Sequence, residues 1–178
     1  NSARKFPHKS AIIFNDLRFS YEELLKKTQF LSNFIQDKTS SGDVISILCE
    51  NSPFFVISYF SILKSGCIAH IIPPSISDFN LKEQIKETNP EMIFSNSNFE
   101  QKLQRTELIN RTFFVENDSK FFEPTHDGFY GNRFHETSSI IFTSGTTSKP
   151  KGVKLTHKNV LTATSNIVKI MDIQTNDV

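Results

Sequence analysis

From Thr143 to Gly152 the chain reads Thr-Ser-Gly-Thr-Thr-Ser-Lys-Pro-Lys-Gly, with five hydroxyl side chains, two glycines, two lysines and no carboxylate or large apolar residue. Glycine lets backbone amides turn toward one centre, hydroxyls add hydrogen-bond donors, and the ammonium groups add positive charge. That set suits a polyanion, above all the phosphates of a nucleotide, whose oxygens accept charge-assisted hydrogen bonds. A solvated Ser/Thr-rich turn would share the composition; placement favours the cradle. The stretch follows Ser139-Ile140-Ile141-Phe142, which reads as a buried strand. Open α/β sheets carry their ligand crevice at the carboxyl ends of such strands. The spacing excludes a Walker A loop, because Pro150 stands five residues after Gly145 and no Gly-Lys-Ser/Thr follows. Lys149, Lys151, Lys154 and Lys158 form a basic cluster without interleaved aromatics, so nucleic acid is not an expected partner.

The elements that must position this stretch alternate between strand and helix. Ala11–Phe14 and Leu17–Phe19 flank Asn15-Asp16, which predicts a small hairpin. Ser20 and Glu23 have capping-box spacing ahead of a helix of about four turns carrying Leu24, Leu31 and Ile35. Val44–Cys49 is a nearly unbroken apolar run, as expected of a strand covered on both faces. Ser52 as N-cap, Pro53 at the first helical position and Gly66 at the far end delimit a helix so apolar that burial on nearly all sides is expected. Cys67–Ile72, Glu91–Phe94 and Thr112–Val115 read as further strands, and Asp78–Thr88 and Phe99–Ile109 as helices. A last helix follows Thr156 as cap, with Val160, Thr164, Ile167 and Met171 expected to face inward. Residues 117–135 read as a long connection. The expected fold is therefore α/β: a mostly parallel sheet with helices on both faces and a small N-terminal β-hairpin.

Composition agrees with a packed domain. The chain has 178 residues, a formal net charge of +1, 37% hydrophobic residues, and 18 Phe beside no Trp. This excludes a disordered charged tail and gives no electrostatic reason for a nucleic-acid partner. Cys49 and Cys67 form no metal or redox spacing and read as buried thiols in a reducing, cytoplasmic setting. His70 in an apolar strand reads as a hydrogen-bonded core residue, and no metal site is expected from His8, His126 and His135. The longest apolar run, Phe54–Leu63, is too short to span a bilayer, so no transmembrane segment is expected. With no initiator Met and an abrupt end at Val178, residues 1–178 read as a piece of a longer chain.

Phe142–Val153, Phe-Thr-Ser-Gly-Thr-Thr-Ser-Lys-Pro-Lys-Gly-Val, closely resembles the phosphate-binding signature of the adenylate-forming (AMP-binding) superfamily, and departs from it at Ser148, where that family has Gly. Further segments are similar to the same family: Phe19–Leu24, Gly42-Asp43-Val44, Glu50-Asn51-Ser52, Ile62–Cys67 and Leu155–Val160. Ile71 stands where the family commonly has Pro.

The resemblance implies the partial N-terminal domain of an enzyme that activates a carboxylic acid with ATP to an acyl-adenylate. Acyl-CoA synthetases, with transfer to coenzyme A and a place in fatty acid metabolism, are the nearest type. A nonribosomal-peptide adenylation domain and a non-catalytic anion- or partner-binding module are the alternatives. It further implies ATP-phosphate binding by Thr143, Ser144, Gly145, Thr146, Thr147, Ser148, Lys149 and Gly152, with Lys151 in the catalytic role. The Mg²⁺ ligands, the acid pocket and a C-terminal lysine are implied in a C-terminal part that residues 1–178 do not contain, so the piece alone is expected to be inactive.

Overall fold

The computed structural model describes residues 2–114, 133–143 and 150–174. After a single helical turn, α1 (Ser2–Lys5), come β1 (Ser10–Phe14) and β2 (Leu17–Ser20), which pair as the antiparallel hairpin that Asn15-Asp16 predicts. Asn15 sits at φ 52°, a left-handed conformation that Asn tolerates. Then follow α2 (Tyr21–Gln36), β3 (Val44–Leu48), α3 (Pro53–Lys64), β4 (Ile68–Ile72), α4 (Asp78–Thr88), β5 (Met92–Ser95), α5 (Glu100–Arg105), β6 (Thr112–Phe114), β7 (Thr137–Thr143), β8 (Lys151–Thr156) and α6 (His157–Ile170). The sheet runs β6-β5-β3-β4-β7-β8, parallel throughout except for the antiparallel pair β7–β8.

Two apolar layers hold the sheet. On one face Ile45, Ile47, Ala69, Met92 and Phe94 meet Leu31 and Ile35 of α2 and Ile57 and Ile62 of α3. On the other, Leu48, Ile72 and Ile93 meet Leu81 and Ile85 of α4 and Leu103 of α5. Alternation along each strand divides its side chains between the layers, and each fully buried Ile or Leu contributes about 2–3 kcal/mol.

The helix boundaries follow their punctuation. Ser20 accepts from the Glu23 amide while the Glu23 carboxylate accepts from the Ser20 amide, closing the capping box. Ser52 caps α3 with Pro53 as its first residue. Gly66, one residue beyond the C-cap Ser65, sits at φ 77° with the Arg133 Cβ packed where its own would project.

α3 is buried or half-buried along its length, as expected, except at Phe60, which is 47% exposed; its buried side includes Ser58 and Ser61. Other expectations are corrected. Phe99–Ile109 is not one helix but the short α5 between two single 3-10 turns, with Glu107 at φ 64° breaking the run. β7 is buried only at Ser138–Ile140, and its outer half opens to solvent. The side of α6 carrying Thr164, Ile167 and Met171 is exposed, because no described element packs on it. Of the connection over 117–135, only Arg133–His135 lies within the described residues, and Val115 lies outside them.

Candidate phosphate-binding site

β7 delivers the hydroxyl-rich stretch and β8 takes it back. Their antiparallel register sets Thr143 opposite Lys151, Phe142 opposite Gly152, Ile141 opposite Val153 and Ile140 opposite Lys154. The sequence reading treats Thr143–Gly152 as one bend; instead Lys151 and Gly152 already belong to a strand. Ser144, Gly145, Thr146, Thr147, Ser148 and Lys149 lie outside the described residues. The flanking pair Thr143 and Lys151 sets a hydroxyl-bearing and an ammonium-bearing residue opposite each other at the open end of a two-strand ladder. Both residues are exposed, and among the described residues no carboxylate pairs with Lys151. An ammonium without a carboxylate partner keeps its charge available to an incoming anion.

Gly152 has a different setting from the one its motif suggests. A Cβ there would stand 3.1 Å from Phe142 Cζ and 3.4 Å from Ile140 Cγ2. Gly152 lies in a strand, not in a turn, and the Phe142 ring approaches it closely. Phe142 in turn meets the His70 ring, with centroids 5.3 Å apart and planes at 60°. His70 is the hydrogen-bonded core histidine expected: its Nδ1 lies 2.9 Å from Ser46 Oγ and its Nε2 lies 3.3 Å from Gln84 Oε1. Burial pushes its pKa down from the ordinary 6.5 to about 4, partly offset by the bond to Gln84, so the ring is neutral.

Neighbouring contacts tie the two strands to the rest of the fold. The Tyr59 hydroxyl of α3 meets Ser139 Oγ at 3.2 Å, and Ser138 Oγ donates to the Leu155 carbonyl at 3.0 Å. Thr156, the last residue of β8, caps α6 and forms a capping box with Asn159. His157 stacks on Phe134 at 5.6 Å. Where the strand order reverses, between β3 and β5, Glu50 accepts from Asn96 at 2.7 Å and from Asn98 at 3.2 Å. These bonds, the Asn96 one foremost, hold its carboxyl below the usual range. An apolar cavity of about 610 Å³ lies between α2, α3 and α6, lined by Leu24, Tyr59, Leu63, Val160 and Leu161 among others and by no residue of the signature.

Thr143 and Lys151, the described ends of the stretch, offer a hydroxyl and an ammonium, a pair whose chemistry suits an anion. Among the described residues no group of three His, Cys, Asp or Glu stands close enough to hold a metal, and no helix is long and apolar enough to cross a membrane.

The sequence profile described as AMP-binding enzyme matches residues 1–178. The chain belongs to this family. It is 28% identical over 164 residues to bacitracin synthase 2 of Bacillus licheniformis, covering 89% of this chain and 6% of that protein. Its fold is similar to the N-terminal domain of FACL13 from Mycobacterium tuberculosis, with a TM-score of 0.88, 18% identity and coverage of 98% of this chain and 47% of that one. It is similar also to o-succinylbenzoate coenzyme A synthetase from Bacillus subtilis in complex with AMP, with a TM-score of 0.81, 21% identity and coverage of 98% and 46%. The chain thus spans less than half of these structures and a small part of the synthase.

Proposed function

We propose that this AMP-binding family chain is the N-terminal part of an enzyme that activates a carboxylic acid with ATP and Mg²⁺. An acid oxygen attacks the α-phosphorus, the bond to the β-bridging oxygen breaks, and acyl-adenylate and pyrophosphate result. The observation that carries this reading is the pair Thr143 and Lys151, set opposite each other where the signature stretch leaves and rejoins the sheet. In that role the Lys151 ammonium balances charge on the departing phosphates. Thr143, Ser144, Gly145, Thr146, Thr147, Ser148, Lys149 and Gly152 contribute hydroxyl and amide donors or the room to approach them. The chemistry asked of these residues is positioning and stabilisation of developing charge, for which one oriented donor contributes about 3 kcal/mol.

The coenzyme A thiol then attacks the acyl carbon of the adenylate, a thioester forms, and AMP leaves as the bond from that carbon to its phosphate oxygen breaks. A second reading, transfer to the carrier of a nonribosomal-peptide assembly line, is favoured by the likeness to bacitracin synthase 2. A non-catalytic anion-binding module is the outcome if the chemistry fails.

The test uses the intact protein and ATP–pyrophosphate exchange over a panel of carboxylic and amino acids. Exchange with at least one acid, lowered roughly tenfold or more by Lys151→Ala, is expected. Exchange unchanged in the variant would refute the role of Lys151, and none with any acid would leave only the binding module. Mass analysis of the acyl product separates coenzyme A from a carrier-bound thioester.

A further inference from the structure

The interior of β4 is Ile-Ala-His-Ile-Ile, and nothing in the apolar layer it helps to form calls for an imidazole. His70 is nevertheless fully buried there, flanked in register by Ser46 of β3 and Ile140 of β7. Its ring has no spare polar valence. Gln84 presents Oε1 to Nε2, so Nε2 carries the proton and donates. Nδ1 then accepts, with Ser46 Oγ at 2.9 Å and Thr88 Oγ1 at 3.3 Å as the hydroxyls in reach. The Thr88 hydroxyl already donates to the Gln84 carbonyl at 2.8 Å, which leaves Ser46 as the donor to Nδ1. Turning the ring would strand a buried polar atom without a partner. Both edges are therefore pinned from β3 and α4, and the ring meets that of Phe142 at 5.3 Å between centroids, with the planes tilted by 60°. Phe142 in turn lies over Gly152, so closely that a Cβ there would stand 3.1 Å from its Cζ and the ring would have to give by a few tenths of an ångström. A continuous line of contacts thus runs from α4 across β4 and β7 to the residue beside Lys151.

We propose that His70 is a positioning residue for Lys151: its pinned ring fixes Phe142 over Gly152, and so fixes where the Lys151 ammonium leaves the sheet. The proposal rests on the reading of Lys151 as a phosphate-binding cation. Leucine at 70 would fill the same space, but it has no edges for Ser46 and Gln84 to hold and no ring to meet that of Phe142.

The experiment compares His70→Leu, Phe142→Leu and the double variant in the intact protein. Amide hydrogen exchange is followed over 151–156, with 44–48 as internal control. KM for ATP and for the acid is measured by pyrophosphate exchange. Each single variant is expected to speed exchange over 151–156 selectively and to raise KM for ATP roughly fivefold or more, with KM for the acid within about twofold. The double variant should add less than about twofold to the worse single one, because both changes break the same line. Equal speeding of 44–48, equal changes in both KM values, or effects that multiply in the double variant would overturn the proposal. Should His70→Leu fail to fold, Gln84→Met frees the Nε2 edge alone and is expected to act in the same direction. A wild type inactive with every acid would count against adenylation, while the exchange arm would still decide the role of His70.

Discussion

At the scale of single residues, the neutral His70 makes stability depend on pH. Its folded pKa of about 4 lies below the ordinary 6.5, and the groups facing it, Ser46, Gln84, Thr88 and Phe142, do not titrate. The unfolded chain therefore takes up a proton that the folded chain refuses. Stability is fully present above pH 6.5, falls as the pH drops toward 4, and levels off below that, with a total loss of about 3 kcal/mol. Urea midpoints at pH 7 and pH 4.5 should diverge more in the wild type than in His70→Leu. Cys49 is pinned in the opposite sense: burial pushes its thiol up to about 12. It should resist alkylation at pH 8 until denaturant is added, as measured by mass shift after iodoacetamide. Gly66 is the least replaceable glycine described. At φ 77°, with Arg133 Cβ 2.6 Å from where its own would project, Gly66→Ala combines backbone strain with a clash. It should cost about 2–4 kcal/mol in thermal or urea unfolding.

At the scale of elements, caps were the most readable feature. Ser20 with Glu23, Ser52 with Pro53, and the full extent of α4 follow from local hydrogen bonding that involves residues no more than four apart. Ser20→Ala should accordingly cost about 1 kcal/mol, read as a shift in the urea midpoint with an unchanged slope. β8 was not readable, and the physical reason is plain. Among the described residues, Lys-Gly-Val-Lys-Leu-Thr is an edge strand with one ladder partner and mostly exposed side chains, so neither an apolar run nor a clean alternation marks it. What makes it a strand is β7, which is adjacent in space yet separated from it by the signature stretch. For the same reason the likeness of Phe142–Val153 to a family signature raised the expectation of a phosphate ligand but hid that its last residues are sheet. The contact of His70 with Phe142 spans more than seventy residues of chain, beyond the reach of any local pattern.

At the scale of the whole molecule, the mostly parallel pairing of the sheet follows from the alternation of apolar runs and helices, whereas its strand order and the surroundings of α6 do not. Leu161 at 69%, Ile170 at 83% and Met171 at 68% exposure place a broad apolar surface in water. Residues 1–178 produced alone should therefore self-associate at micromolar concentration, and Leu161→Gln with Ile170→Lys should lower the sedimenting mass toward 20.4 kDa. A last consequence lies in the join between β8 and α6. Thr156 ends the one and caps the other, so no linker absorbs movement between them. The helix and the strand act as a bell-crank pivoted at one threonine: a swing of the long arm must either bend that single hinge or drag the ladder, lysine and all, by a proportionate step.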